Sequence, residues 1–180
     1  KEEVVENKED ITEPEISAPS FSEETFIDVK ADEWYYPAVK YVYENDLFKG
    51  TDNGFAPQGK MTRAMLVTVL HRLAKPETKA LETAFSDVIK DAWYADSVNW
   101  AVESGIVNGI SATEFGAGRD ITRQDMAVMV YNAAKYAGYK FETSKSEFKD
   151  AELVKDYAKE AVFAMAGAGI INGFEDNTFR

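Results

Sequence analysis

The chain has 180 residues, 45% of them apolar, and a net charge of -12. That is enough apolar material for a real core, and the acidity argues against nucleic acid and against anionic lipid. No cysteine is present, which excludes disulfides, thiol catalysis and cysteine-based zinc. No apolar run approaches the ~20 residues that span a bilayer, so membrane insertion is not expected.

Residues 1–24 read as an acidic linker. Residues 1–25 hold nine acids against two lysines, so most of the net charge sits there. Pro14 and Pro19 punctuate the stretch, and its few large apolar side chains would not offset the entropy of folding. The chain opens on Lys1 without a signal-peptide pattern and reads as an internal fragment of a longer protein.

From Phe26 onward the sequence repeats itself. Phe26-Ile27-Asp28-Val29 recurs as Phe85-Ser86-Asp87-Val88 and as Phe148-Lys149-Asp150, at spacings of 59 and 63 residues. Trp34-Tyr35 recurs as Trp93-Tyr94, with Tyr157 alone in the third copy. Phe48-Lys49-Gly50 returns as Val107-Asn108-Gly109 and Ile171-Asn172-Gly173, and Phe55 as Phe115 and Phe179. Met61-Thr62-Arg63 returns as Ile121-Thr122-Arg123, and the third copy reaches Arg180 before such a step. The copies are therefore 25–80, 81–143 and an incomplete 144–180.

Each copy predicts two helices joined by a loop. The first helix covers roughly Trp34–Asn45, with Ala38, Tyr41 and Val42 on one face, then Trp93–Ser104 and Lys155–Gly167. Each ends near glycine, and turn formers such as Asp52-Asn53-Gly54 follow, with a short extended piece at Phe55. The second helix starts at Thr62 or Thr122 as N-cap. Thr122-Arg123-Gln124-Asp125 resembles a capping box with Asp in place of Glu. Leu66, Val67, Leu70 and Leu73, like Met126, Met129, Val130 and Ala133, form core stripes. No copy has the apolar area to stand alone, so the copies should share one core.

The order Phe-x-Asp-Val, Trp-Tyr, glycine turn, Phe and Ile-Thr-Arg resembles the S-layer homology family across residues 26–180. The resemblance implies an all-α fold of helix-loop-helix repeats in a pseudo-threefold bundle with three prongs. It implies an extracellular location and non-covalent anchoring of a secreted surface protein to a bacterial cell wall. The partner it implies is a secondary cell wall polymer linked to peptidoglycan, often ending in a pyruvylated amino sugar, held in grooves between repeats. The family continues beyond a Phe-Arg position with another Thr-Arg helix; either Arg180 is a boundary within a longer chain or, if the third copy truly stops there, a neighbouring chain or the linker would cover the apolar surface left bare. The alternative is a protein–protein module within a surface-layer lattice.

The candidate ligand-binding residues follow from that frame. Thr62-Arg63 and Thr122-Arg123 sit at helix starts, where free amides and the dipole favour an anion and a guanidinium adds a bidentate pair to a carboxylate. The alternative is a structural Arg paired with an Asp. Asn108-Gly109 and Asn172-Gly173 offer an amide for sugar hydroxyls beside an approachable backbone, or else a helix C-cap with left-handed glycine. Trp34 and Trp93 are expected in the core, while Trp100 is the better candidate for stacking on a sugar. Asp28, Asp87 and Asp150 read as loop-bonding residues. No EF-hand spacing occurs, and His71 is the only histidine, so no metal or cofactor is expected. No acid–base pair or nucleophile stands out, so no enzyme is expected.

Overall fold

The computed structural model describes residues 20–51, 54–77, 82, 85–142 and 148–180. The linker up to residue 19 and the Asp52-Asn53 turn lie outside them. Among the described residues there are five α-helices: α1 (Tyr36–Glu44), α2 (Arg63–Ala74), α3 (Ala95–Glu103), α4 (Arg123–Tyr136) and α5 (Asp156–Gly167). Among the described residues there is no strand beyond two isolated bridges, Thr51 with Gly54 and Thr62 with Asp120. The fold is thus all-α and built of helix-loop-helix repeats. The chain divides into two compact units between Phe55 and Ala56.

In the first unit, Phe26 meets the edges of Tyr43 and Phe55 at centroid distances of 5.3 and 5.4 Å. Phe21, assigned to the linker from sequence, is buried in this aromatic cluster beside Val29 and Val39. A large ring at the rim of an apolar cluster gains more from burial than a spacer gains from freedom. Within the unit the inward face of α1 is Val39 and Tyr43; of the expected face, Ala38 and Tyr41 are exposed and Val42 is half-buried. The Phe-x-Asp-Val block covers the Val39–Tyr43 face, an i, i+4 pair.

In the second unit, α2 packs beside α3 and α4 beside α5, and α2 also meets α4. The second helix of one copy therefore pairs with the first helix of the next. Leu66, Val67 and Leu70 join Val98, Ala101, Ile106 and Phe115 in one core, and Ala127, Val154, Ala158 and Val162 form another. Leu73, expected in the stripe, is exposed near the end of α2. Left-handed Gly105 and Gly169 (φ +68 and +70) follow α3 and α5 as their terminating glycines.

Candidate functional site

The Thr-Arg steps open α2 and α4 as expected. Thr62 Oγ1 accepts from the Met65 amide at 3.3 Å, and Thr122 Oγ1 from the Asp125 amide at 3.2 Å. The reciprocal bond of a capping box forms at α2, where Met65 Sδ accepts from the Thr62 amide at 3.4 Å. Asp125 is diverted from that role. It takes the Thr122 hydroxyl at 2.7 Å and the Tyr157 hydroxyl at 2.6 Å. Burial, then the bond to Asp125, pushes the Tyr157 phenol up to about 12.

The start of α2 is closed to an anion. Its first two amides, of Arg63 and Ala64, donate to Arg119 O and Ala117 O at 3.0 and 3.1 Å. The free-amide expectation fails there because the second copy's loop supplies the acceptors. Arg63 is 9% exposed. Its Nη2 donates to Asn108 O at 2.9 Å and its Nε to Phe115 O at 3.1 Å, with the guanidinium 4.9 Å from the Phe115 ring centroid. It bonds backbone carbonyls, neither of them an Asp. Burial lowers its pKa from the usual guanidinium value, opposed by the charge of Asp125. Arg123 repeats the arrangement in the open: Nη2 donates to Asn172 O at 3.0 Å, over Phe179 at 4.9 Å and Phe174 at 5.2 Å.

Asn108-Gly109 and Asn172-Gly173 lie past the ends of α3 and α5, not at them, and neither glycine is left-handed. A Cβ on Gly109 would lie 2.5 Å from the Phe85 ring, and one on Gly173 2.8 Å from the Phe148 ring. The approach these glycines permit is that of the Phe-x-Asp ring. The acid of that block holds the same loops. Asp87 accepts from the amides of Phe115, Gly116 and Ala117 at 2.7 to 3.0 Å. Asp150 accepts from Phe179 and Arg180, and Asp28 from Phe55.

The tryptophans reverse their expected roles. Trp100 is 4% exposed, packed on His71 in the α2–α3 core, and its indole N–H has no hydrogen-bond partner among the described residues. It has no face to offer a sugar. Trp34 and Trp93 are 85% and 62% exposed, braced edge-on by Tyr35 and Tyr94. They precede their helices instead of standing on the packed face, so no neighbour covers them within their own units.

Within the second unit a cavity of about 520 Å³ is bounded by the second copy's loop and the starts of α4 and α5. Arg63, Asn108, Gly109 and Thr122 line it, four of the residues singled out from sequence. Arg119, Asp120, Gln124, Asp125, Asn132, Lys155 and Tyr157 line it too, and sequence reasoning did not select them. Tyr157 carried a repeat signal, whereas Arg119 and Lys155 align with Gly59 and Ala92 and carried none. Both acids are occupied: Asp120 by Lys60 at 2.9 Å, Asp125 by the two hydroxyls. Arg119 and Lys155 have no acidic partner among the described residues. Arg123 instead borders a smaller cavity with Thr122, Asp150, Phe179 and Arg180. Thr62, Asn172 and Gly173 line neither. No group of His, Cys, Asp and Glu suited to a metal occurs among the described residues.

The S-layer homology domain model matches residues 25–64, 84–127 and 147–180. The surface-layer 125 kDa protein of Lysinibacillus sphaericus is 35% identical over 141 residues, which is 78% of this chain and 12% of that protein. An endoglucanase of Bacillus sp. (strain KSM-635) is 29% identical over 86% of this chain and 17% of its own length. A cellulosome-anchoring protein of Acetivibrio thermocellus is 26% identical over 73% of this chain and 31% of its own. The chain thus spans under a third of each of these relatives.

Proposed function

The chain belongs to the S-layer homology family of cell-surface anchoring modules, and we propose that it ties a larger secreted protein non-covalently to a bacterial cell wall by holding an anionic wall glycan in the 520 Å³ cavity. The observation that carries this reading is the cavity's charge. In a chain of net charge -12 it gathers Arg63, Arg119 and Lys155 while its two acids are engaged, Asp120 by Lys60 from outside the lining and Asp125 by two hydroxyls. A cationic pocket with Asn108, Gln124 and Asn132 among its lining suits a sugar bearing one carboxylate. A secondary cell wall polymer ending in a pyruvylated amino sugar has that chemistry. Arg119 and Lys155 face the carboxylate, and Asn108, Gly109 and Thr122 face the sugar. Trp100 has no part in the contact. The module acts by binding and turns nothing over.

Co-sedimentation of the chain with purified wall tests this. Replacing Arg119 and Lys155 together by Gln weakens retention at least about tenfold, the scale of losing charge-assisted bonds. Wall stripped of its secondary polymer retains almost none. Undiminished retention on stripped wall overturns the glycan reading in favour of a protein partner within a surface lattice, and sugars released from wall by the chain overturn the non-catalytic one. Because the protein and the polymer repel at long range, added salt leaves retention unchanged or improves it.

A further inference from the structure

We infer that Arg63 is a positioning residue, one that shapes the second copy's ligand-facing loop from the first copy's helix and acts on the ligand through that loop. The inference rests on the anchoring reading for its ligand, and on geometry for the rest. The loop from Asn108 to Phe115 closes on itself through Ile110 N to Glu114 O at 2.8 Å. Arg63 bridges the carbonyls of the loop's two ends, Asn108 O and Phe115 O, with one planar fork, at 2.9 and 3.1 Å. Asp87 grips the amides at the same end. Opposite charges thus hold opposite polarities of one backbone segment. A carbonyl left unpaired in a buried setting is costly, so the loop's shape depends on the guanidinium.

An independent repetition supports the assignment. Arg123 meets the equivalent carbonyl, Asn172 O, at 3.0 Å and the equivalent ring, Phe179, at 4.9 Å. What recurs is the grip on the next copy's backbone. Arg123 keeps it although it does not border the larger cavity. The Thr-Arg steps of the first two copies therefore each form the loop of the copy that follows, and a lysine, lacking the planar fork, does not replace it.

The test uses the whole chain, purified wall, and the methyl glycoside of pyruvylated N-acetylmannosamine as soluble probe. Arg63→Gln and Arg63→Lys should each speed exchange of the Ile110 amide at least about tenfold and weaken wall retention by a similar factor, the scale of one or two lost charged hydrogen bonds. Arg119→Gln should weaken retention with that exchange rate unchanged. Weak retention by Arg63→Gln with wild-type exchange would mean that Arg63 touches the ligand directly, and would overturn the inference. So would full retention by Arg63→Lys. If the variants unfold, the unaltered protein decides: its Arg63 Nε–H signal should exchange slowly and stay in place when the probe saturates. A movement as large as that of Arg119 overturns the inference. If the unaltered chain binds neither wall nor probe, the anchoring reading falls, and the exchange rates still decide the positioning role.

Discussion

Arg63 and Arg123 open equivalent helices from the same Thr-Arg step, yet Arg63 is only 9% exposed and Arg123 lies exposed. Arg63 bonds two carbonyls, whereas Arg123 bonds one and lies over two rings. The identical motif thus becomes a buried latch in one place and a surface latch in the other. The difference comes from what the following copy lays over it. Behind Arg63 lies a loop that continues through Gly116-Ala117 to Arg119, whose carbonyls also take the first amides of α2.

The largest expected contrast is in stability. Arg63→Gln should cost about 3 kcal/mol in denaturant unfolding, since one buried and one part-buried carbonyl lose a charged donor, and Arg123→Gln only about 1 kcal/mol. Equal costs would erase the distinction between the two latches. Next are the opposing acids. Asp87→Asn should cost about 1–2 kcal/mol and Asp150→Asn less, because three amides depend on Asp87 and two on Asp150. Acid probes the same grip. Partial burial raises the Asp87 carboxyl, but the amides of Phe115, Ala117 and Gly116 outweigh it and hold it below the usual 3.8. Its contribution is therefore complete above the ordinary carboxylate range and fades as pH falls below about 3.8. A stability difference between the unaltered chain and Asp87→Asn that already shrinks between pH 7 and 5 would contradict this. The smallest effect is at Tyr157, whose replacement by Phe should cost about 1 kcal/mol for one hydrogen bond. In a spectrophotometric titration Tyr157 and Tyr131 should ionise only at about 12. The stability that Tyr157 contributes holds below its ordinary value near 10 and is lost as pH climbs towards 12.

Local rules made much of the fold legible. Thr62 and Thr122 cap their helices because a cap is settled within four residues. Leu66, Val67 and Leu70 are buried because periodicity identifies a helix face. Periodicity does not identify the partner. Packing across a copy boundary was expected because no copy could stand alone, but the choice of α3 as the partner of α2 was not legible, nor was the burial of Trp100 between His71 and Tyr136. Trp34 and Trp93 recur like core residues and yet are exposed, since recurrence marks a repeated role and does not say which side of the surface holds it. The cavity was half legible. Arg63, Asn108, Gly109 and Thr122 stood out by repetition, but Arg119 and Lys155 occur once each and matter through the space they share.

The helix pairing has a consequence for recombination. Because α2 pairs with α3 and α4 with α5, a crossover placed at the start of a motif parts two helices that stabilise each other. A crossover in the loop near Phe55 or Phe115 keeps such a pair together. The cassette that can be exchanged between modules is thus out of phase with the repeat that the eye picks out, and it carries its Arg along with the loop that this Arg builds.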